Sequence, residues 1–263
     1  MRFRFDHAVV VVPSLAEGIG RYQAAGFAVR RGGQHDVLPT ENALIAFVDG
    51  SYLELMAVRD PETRAALRAL AAGDRWHNHL RGVSAIGRRF LPRLAGPDGV
   101  GDYALFGARL ARFAIEARRH NLAMTGPTRF GRETPDGRRL EMELLLPAAD
   151  FLPFFVEDHT PREWRVPADP EVTTHANGAT GIAQVVVRVA DVPAVALELA
   201  MLFDGTPRVD GEGRTRLGLA GVELVIVRGE PEGARGVVLA GVGRLPAEIE
   251  ADGVGTTAGG VQD

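Results

Sequence analysis

The sequence predicts an α+β fold assembled from repeated βαβββ modules. Three observations predict it. The first sixty residues read as strand, helix, strand, strand, strand. That order recurs twice further along the chain. The outer strands of the first unit, Val-rich and built to be buried, each carry a metal-capable side chain, His7 and Glu54. A lone His in a strand is ordinarily a hydrogen-bonded core residue. A His and a Glu on the outer strands of one unit call for a chemical reason.

The elements follow from local signals. Phe3 to Val12 is an apolar run that reads as a buried strand. Ser14 followed by Glu17 is a capping-box signature, and Gly26 stops the helix that runs from about Leu15 to Ala25. Phe27 to Arg31 reads as a strand ending in a Gly32-Gly33 turn. Asn42 to Val48 and Tyr52 to Val58 are the next two strands, joined at Asp49-Gly50. In the second unit the first strand is placed at Val83 to Leu91 and a long helix at Tyr103 to Asn121. Strands follow at Thr128 to Arg132, Arg139 to Leu146 and Phe151 to Glu157, with Pro135-Asp136-Gly137 as a turn. The third unit starts with a strand from Ile182 to Val189 and an Asp191-capped helix from about Val192 to Phe203. Strands near Arg208, at Arg214 to Leu219 and at Val222 to Val227 complete it. A truncated fourth echo spans Gly236 to Ala251, and the Gly- and Thr-rich end after Asp252 reads as frayed.

At 263 residues, with 46% apolar and 24% charged residues, the chain suits one large or two small soluble domains. The expected division is 1–165, holding paired modules at 1–60 and 80–160, and 166–263, holding a third module with a C-terminal extension. A net charge of -4 gives no reason to expect nucleic acid as a partner. No apolar run reaches the ~20 residues of a membrane helix, and the cytoplasm is the default location. There is no cysteine, so thiolate nucleophiles, disulfides and cysteine-ligated metals are excluded. All 30 basic residues are arginine, which excludes Schiff-base and lysine-anchored phosphate chemistry.

The repeated unit, with Asp6-His7, Gly32-Gly33-Gln34-His35, Thr40-Glu41-Asn42, Tyr52-Leu53-Glu54-Leu55 and Leu152-Pro153-Phe154-Phe155-Val156-Glu157, resembles the glyoxalase-like domain branch of the vicinal oxygen chelate superfamily. Members of that superfamily include glyoxalase I, extradiol dioxygenases, epimerases and drug-sequestering proteins. The resemblance implies curved, cup-shaped mixed sheets with helices outside. It implies a divalent metal (Zn, Ni, Mn, Fe or Co) held by His7, Glu54 and Glu157, with the fourth ligand expected within Val83 to Leu91. That stretch offers Ser84, Arg88 and Arg89 but no His; His77 and His79 lie just upstream. The metal would bind a small vicinal-oxygen substrate and stabilise an enediolate or related oxyanion, as in a lyase, isomerase or epimerase. His35 and Glu157 are the candidates for moving the proton, and Thr40, Asn42 and Tyr52 for binding substrate. The alternatives are a metal-free protein that binds or sequesters a small molecule, and an extradiol-type dioxygenase. Trp164 is expected to anchor the linker to the third module. Alignment of the first and third units puts Gln184 opposite His7 and Glu223 opposite Glu54, a degenerate site with a structural role. An unmatched third module leaves sheet edges uncovered, so a homodimer is expected.

Overall fold

The computed structural model describes residues 3–257. The chain runs β1 (Arg4–Val11), α1 (Leu15–Ala24), β2 (Arg30–His35), β3 (Thr40–Ala46) and β4 (Tyr52–Val58), then α2 (Pro61–Ala71), α3 (Trp76–Gly82) and α4 (Ala85–Ala95). Next come β5 (Gly99–Phe106), α5 (Leu110–Arg119), β6 (Met124–Glu133), β7 (Arg139–Pro147) and β8 (Phe154–Asp158), followed by the short α6 (Arg162–Arg165) and α7 (Pro170–Thr173). The last stretch is β9 (Gly181–Val189), α8 (Val192–Phe203), β10 (Arg208–Val209), β11 (Thr215–Leu219), β12 (Val222–Arg228), β13 (Gly233–Ala240), α9 (Ala247–Glu250) and β14 (Val254–Thr256).

The first eight strands close into a barrel in the order β1-β4-β3-β2-β6-β7-β8-β5. Each βαβββ unit contributes half, with its first strand parallel to its last. The halves meet at an antiparallel β1–β5 seam and at a short β2–β6 seam, where Gln34 pairs with Glu133 and His35 with Arg132. Glycine makes the second seam possible. Gly32-Gly33 is not a turn but a bulge inside β2. A Cβ on Gly33, whose φ is +142°, would lie 2.2 Å from the Glu133 carbonyl oxygen, and one on Gly32 would lie 2.1 Å from Asn42 Oδ1. Only bare backbone closes the barrel here.

The opening of the second unit differs from expectation. Val83 to Leu91 is mostly α4: the Ser84 hydroxyl accepts from Gly87 N, and Ile86, Phe90 and Leu94 recur with helical period. The strand is β5, hidden from pattern reading by its Gly99-Val-Gly101 start. The long helix is correspondingly shorter, and Tyr103 to Phe106 belong to the strand. One helix also packs against the barrel interior. Ile86, Phe90, Leu91 and Leu94 of α4 share one buried cluster with Val9, Met56, Leu144 and Phe154 of the barrel interior. The insertion between the two units thus plugs one end of the barrel.

The remaining strands form a six-stranded sheet, β10-β11-β12-β9-β13-β14. The β13-α9-β14 segment is the truncated fourth unit, and β14 forms where a frayed end was expected. β13 lies beside β9 as β5 lies beside β1, and β14 pairs with β13 in turn. One large apolar cluster joins this sheet to α1, α5 and the outer face of β1 and β5. Gly99, with φ +116°, allows the Asp252 backbone to approach: a Cβ there would stand 2.8 Å from the Asp252 carbonyl oxygen. Arg162 and Arg165, rather than Trp164, anchor the linker. Both guanidiniums reach Asp6, and Trp164 is 37% exposed beneath Arg138. Among the described residues no helix is long and apolar enough to cross a membrane.

Candidate active site

The barrel interior holds a narrow cavity of about 50 Å³. Its walls are apolar: Leu38, Leu44, Met56, Phe90, Phe130 and Phe154 all face it. One side is polar. Strand alternation turns Tyr52, Glu54 and Met56 of β4 inward with His7 of β1, so His7 and Glu54 share a face.

Glu54, 7% exposed, is the centre of this group. Asn42 Nδ2 donates to its Oε1 at 2.5 Å. His35 Nε2 stands 3.6 Å from Oε1, and His7 Nε2 stands 3.3 Å from Oε2. Each imidazole is fixed from behind. His7 Nδ1 donates to Asp6 Oδ2 at 2.8 Å, and His35 Nδ1 shares a 2.8 Å hydrogen bond with Thr40 Oγ1. The Tyr52 ring stacks on His7 at 4.5 Å. His7 Nε2 is buried and makes no hydrogen bond; its contact with Glu54 is an ion pair. Burial alone would raise the Glu54 carboxyl, but the His35 and His7 rings outweigh it and hold Glu54 well below the usual carboxylate range. Burial would likewise lower His7, yet Asp6 and Glu54 outweigh it and hold the imidazole above its usual value. Both effects favour an imidazolium beside a carboxylate.

Other predicted residues lie elsewhere. Glu157 takes no part: inward positions on β8 are Phe154 and Val156, and Glu157 points outward. Its oxygens accept from Arg109 N at 2.9 Å and Leu110 N at 3.0 Å, capping α5, so neither the ligand nor the proton-carrier role holds. Thr40 serves His35 and is absent from the cavity wall. His77 and His79 are exposed on α3, and Ser84 and Arg88 are exposed on α4.

Register relocates the fourth position. His7 lies eight residues before Leu15, the first residue of α1; Asp102 lies eight before Leu110 of α5, and Gln184 eight before Val192 of α8. Glu54 pairs with Val9, two beyond His7, and Phe154 pairs with Ala104, two beyond Asp102. The second-unit counterparts of His7 and Glu54 are therefore Asp102 and Phe154. Asp102 is fully buried and held by Arg89 at 2.7 and 2.8 Å and by Arg93 at 2.8 Å. Phe154 is apolar and packs edge-on to His7 at 5.3 Å. In the third unit Val225, which pairs with Val186, is the counterpart of Glu54. Glu223, which pairs with Gln184, matches Tyr52 instead and is bound by Gln184 and Arg216. The donors required for a four-ligand centre drawn from both units are not there. Among the described residues no group of three or more His, Cys, Asp or Glu side chains is arranged to hold a metal ion.

Sequence reading missed Asp6, Arg132 and Arg165. Arg165 donates to Asp6, to Asp158 and to the Tyr52 hydroxyl, which fixes the wall behind His7. No local signal marks a linker arginine as part of a barrel wall.

A family profile described as a glyoxalase-like domain matches residues 5–203. The chain belongs to the glyoxalase-like domain family. No curated protein matches it in sequence. Its fold is similar to that of a hypothetical protein from Staphylococcus aureus, at TM-score 0.69 and 16% identity, over 90% of both chains. It is also similar to an extradiol ring-cleaving dioxygenase from B. fuscum, at TM-score 0.50 and 11% identity, over 90% of this chain and 57% of that one. The glyoxalase-like chain thus spans somewhat more than half the length of that dioxygenase.

Proposed function

We propose that this glyoxalase-like protein is an enzyme of the lyase or isomerase type that moves a proton on a small oxygen-bearing substrate held in the barrel. The observation that carries this reading is a buried carboxylate, Glu54, flanked by two imidazole Nε2 atoms on one side of an otherwise apolar cavity. Glu54 is the proton acceptor. His7, with Nδ1 committed to Asp6, presents Nε2, 3.3 Å from Glu54 Oε2, as the donor to a substrate oxygen on which negative charge develops. His35 orients Glu54 from its other oxygen, and Thr40 fixes His35. The apolar walls around the site lower the local polarity, which strengthens both contacts.

The test follows carbon-bound hydrogen exchange in D2O by NMR across a panel of small 2-hydroxy and 2-oxo carbonyl compounds. The protein should catalyse exchange beside the carbonyl of at least one, and Glu54→Gln should slow it by about 10²–10⁴-fold. Absence of exchange with every compound, or full activity in Glu54→Gln, overturns the reading.

One observation favours a second reading, a divalent metal that His7 and Glu54 would hold together with substrate oxygens. A buried Nε2 without a hydrogen bond, on a ring whose Nδ1 is held by a carboxylate, is the setting of a metal-ligating histidine. A bound metal would act as a Lewis acid on substrate oxygens. Elemental analysis of the purified protein should then find stoichiometric metal that His7→Ala loses.

A further inference from the structure

The charged groups on the cavity wall are paired with opposite charge, with one exception. Arg165 is paired with two carboxylates, Asp6 and Asp158. The oxygens of Glu54 are engaged by Asn42, His7 and His35. Arg132 lines the same cavity at 3% exposure, and no carboxylate among the described residues is in ion-pair contact with it. Its only hydrogen bond among them runs from Nη1 to the Gly32 carbonyl oxygen, which leaves Nε and Nη2 without an acceptor. A guanidinium does not shed its proton, and a buried charge calls for a counter-charge.

We infer that Arg132 anchors an anionic group of the substrate, so that the molecule bound here carries a carboxylate or similar oxyanion on an apolar frame. This rests on the barrel cavity being the substrate site. The inference deepens that reading by assigning a substrate class. The planar fork of a guanidinium matches a carboxylate through two parallel hydrogen bonds. Backbone geometry fixes the place: Arg132 pairs with His35 across the β2–β6 seam, and a Cβ on Gly33 would stand 3.1 Å from its Nη1. Apart from the polar side around Glu54, the wall, including Leu38, Met56 and Phe130, offers only apolar contact. Arg132 makes no hydrogen bond to Glu54 or to its partners Asn42, His7 and His35, so recognition and proton transfer are assigned to separate groups.

Calorimetric titration with phenylacetate and its neutral isostere phenylacetamide tests this. The wild-type protein should bind phenylacetate at least tenfold tighter. Arg132→Gln should abolish that preference and leave phenylacetamide binding within twofold, and Arg132→Lys should retain part of the preference. Should Arg132→Gln fail to fold, the wild-type ratio and Arg132→Lys still decide. Equal binding of acid and amide by the wild type, or an undiminished preference in Arg132→Gln or Arg132→Lys, overturns the inference and leaves the cavity as a binding site. Failure of the wild type to bind either compound overturns the cavity reading, and the inference with it.

Discussion

His7 and Glu54 were legible as single residues because a charge in a Val-rich strand is costly unless it has a partner. Their company was not. Asp6 precedes His7, His35 and Asn42 come from neighbouring strands, and Arg165 arrives from beyond the barrel, so only the closed fold brings them together. Glu157 misled because an acidic residue on a last strand looks the same whether it faces the cavity or caps a helix on the outside. The His7–Glu54 pair gives the protein a pH signature. Glu54 is held below its unfolded value, so its contribution is present above the ordinary carboxylate value near 4.5 and is lost as pH falls through the folded value. His7 is held above its unfolded value near 6.5, so its contribution is complete below that value and is lost as pH rises through the folded one. Urea unfolding as a function of pH should therefore show these two contributions at full strength together between about 4.5 and 6.5. In Glu54→Gln the alkaline decline should be smaller and end at lower pH, because only Asp6 then supports the imidazolium. An unmoved alkaline limb would mean that His7 and Glu54 are not coupled.

Among the elements, those with a strong local signature were read to within a residue or two: α1 behind Ser14, β4 at Tyr52–Val58, and α8 behind Asp191. The errors gather where glycine or a helical insertion interrupts the pattern. Gly99 and Gly101 hide β5, and Gly32-Gly33 imitates a turn while forming the bulge that closes the barrel. With β5 out of view, Asp102 could not be recognised as the counterpart of His7. Its pairing carries a stability prediction. Asp102→Asn leaves Arg89, 5% exposed, beside a neutral amide, and breaking a buried pair in this way costs about 3–5 kcal/mol. The loss should appear as a lower urea midpoint with an unchanged slope. Gly33→Ala tests the seam: with φ at +142° and the Glu133 carbonyl oxygen in the way, it should destabilise by more than the ~1–3 kcal/mol of backbone strain alone. A Gly33→Ala protein as stable as the wild type would mean that β2 and β6 do not close as described.

At the scale of the whole molecule, the repeat was the most legible feature, because a period of strand and helix survives the loss of every functional residue. The third unit keeps the order of the first while Val225 stands where Glu54 would be, and Gln184 where His7 would be. How the halves join was not legible, since the contacts span most of the chain. Phe5 N donates to the Ala220 carbonyl oxygen, the His175 imidazole links to Ala28 and Ala46, and Val100 N donates to the Asp252 carbonyl oxygen. The apolar cluster that fills this junction takes residues from β1, α1 and α5 on one side and from β9, β11, β12 and β13 on the other. Neither side can expose that surface to water at small cost, since each buried apolar side chain contributes about 1.5–3 kcal/mol. The barrel and the six-stranded sheet should therefore unfold together. Calorimetry should give one transition whose calorimetric and van't Hoff enthalpies agree. Cutting the chain before β13 should leave an aggregating product rather than a folded barrel. Two resolved transitions would show that the barrel does not depend on the second sheet, and a soluble, cooperatively folding 1–230 fragment would show that it does not depend on β13 and β14.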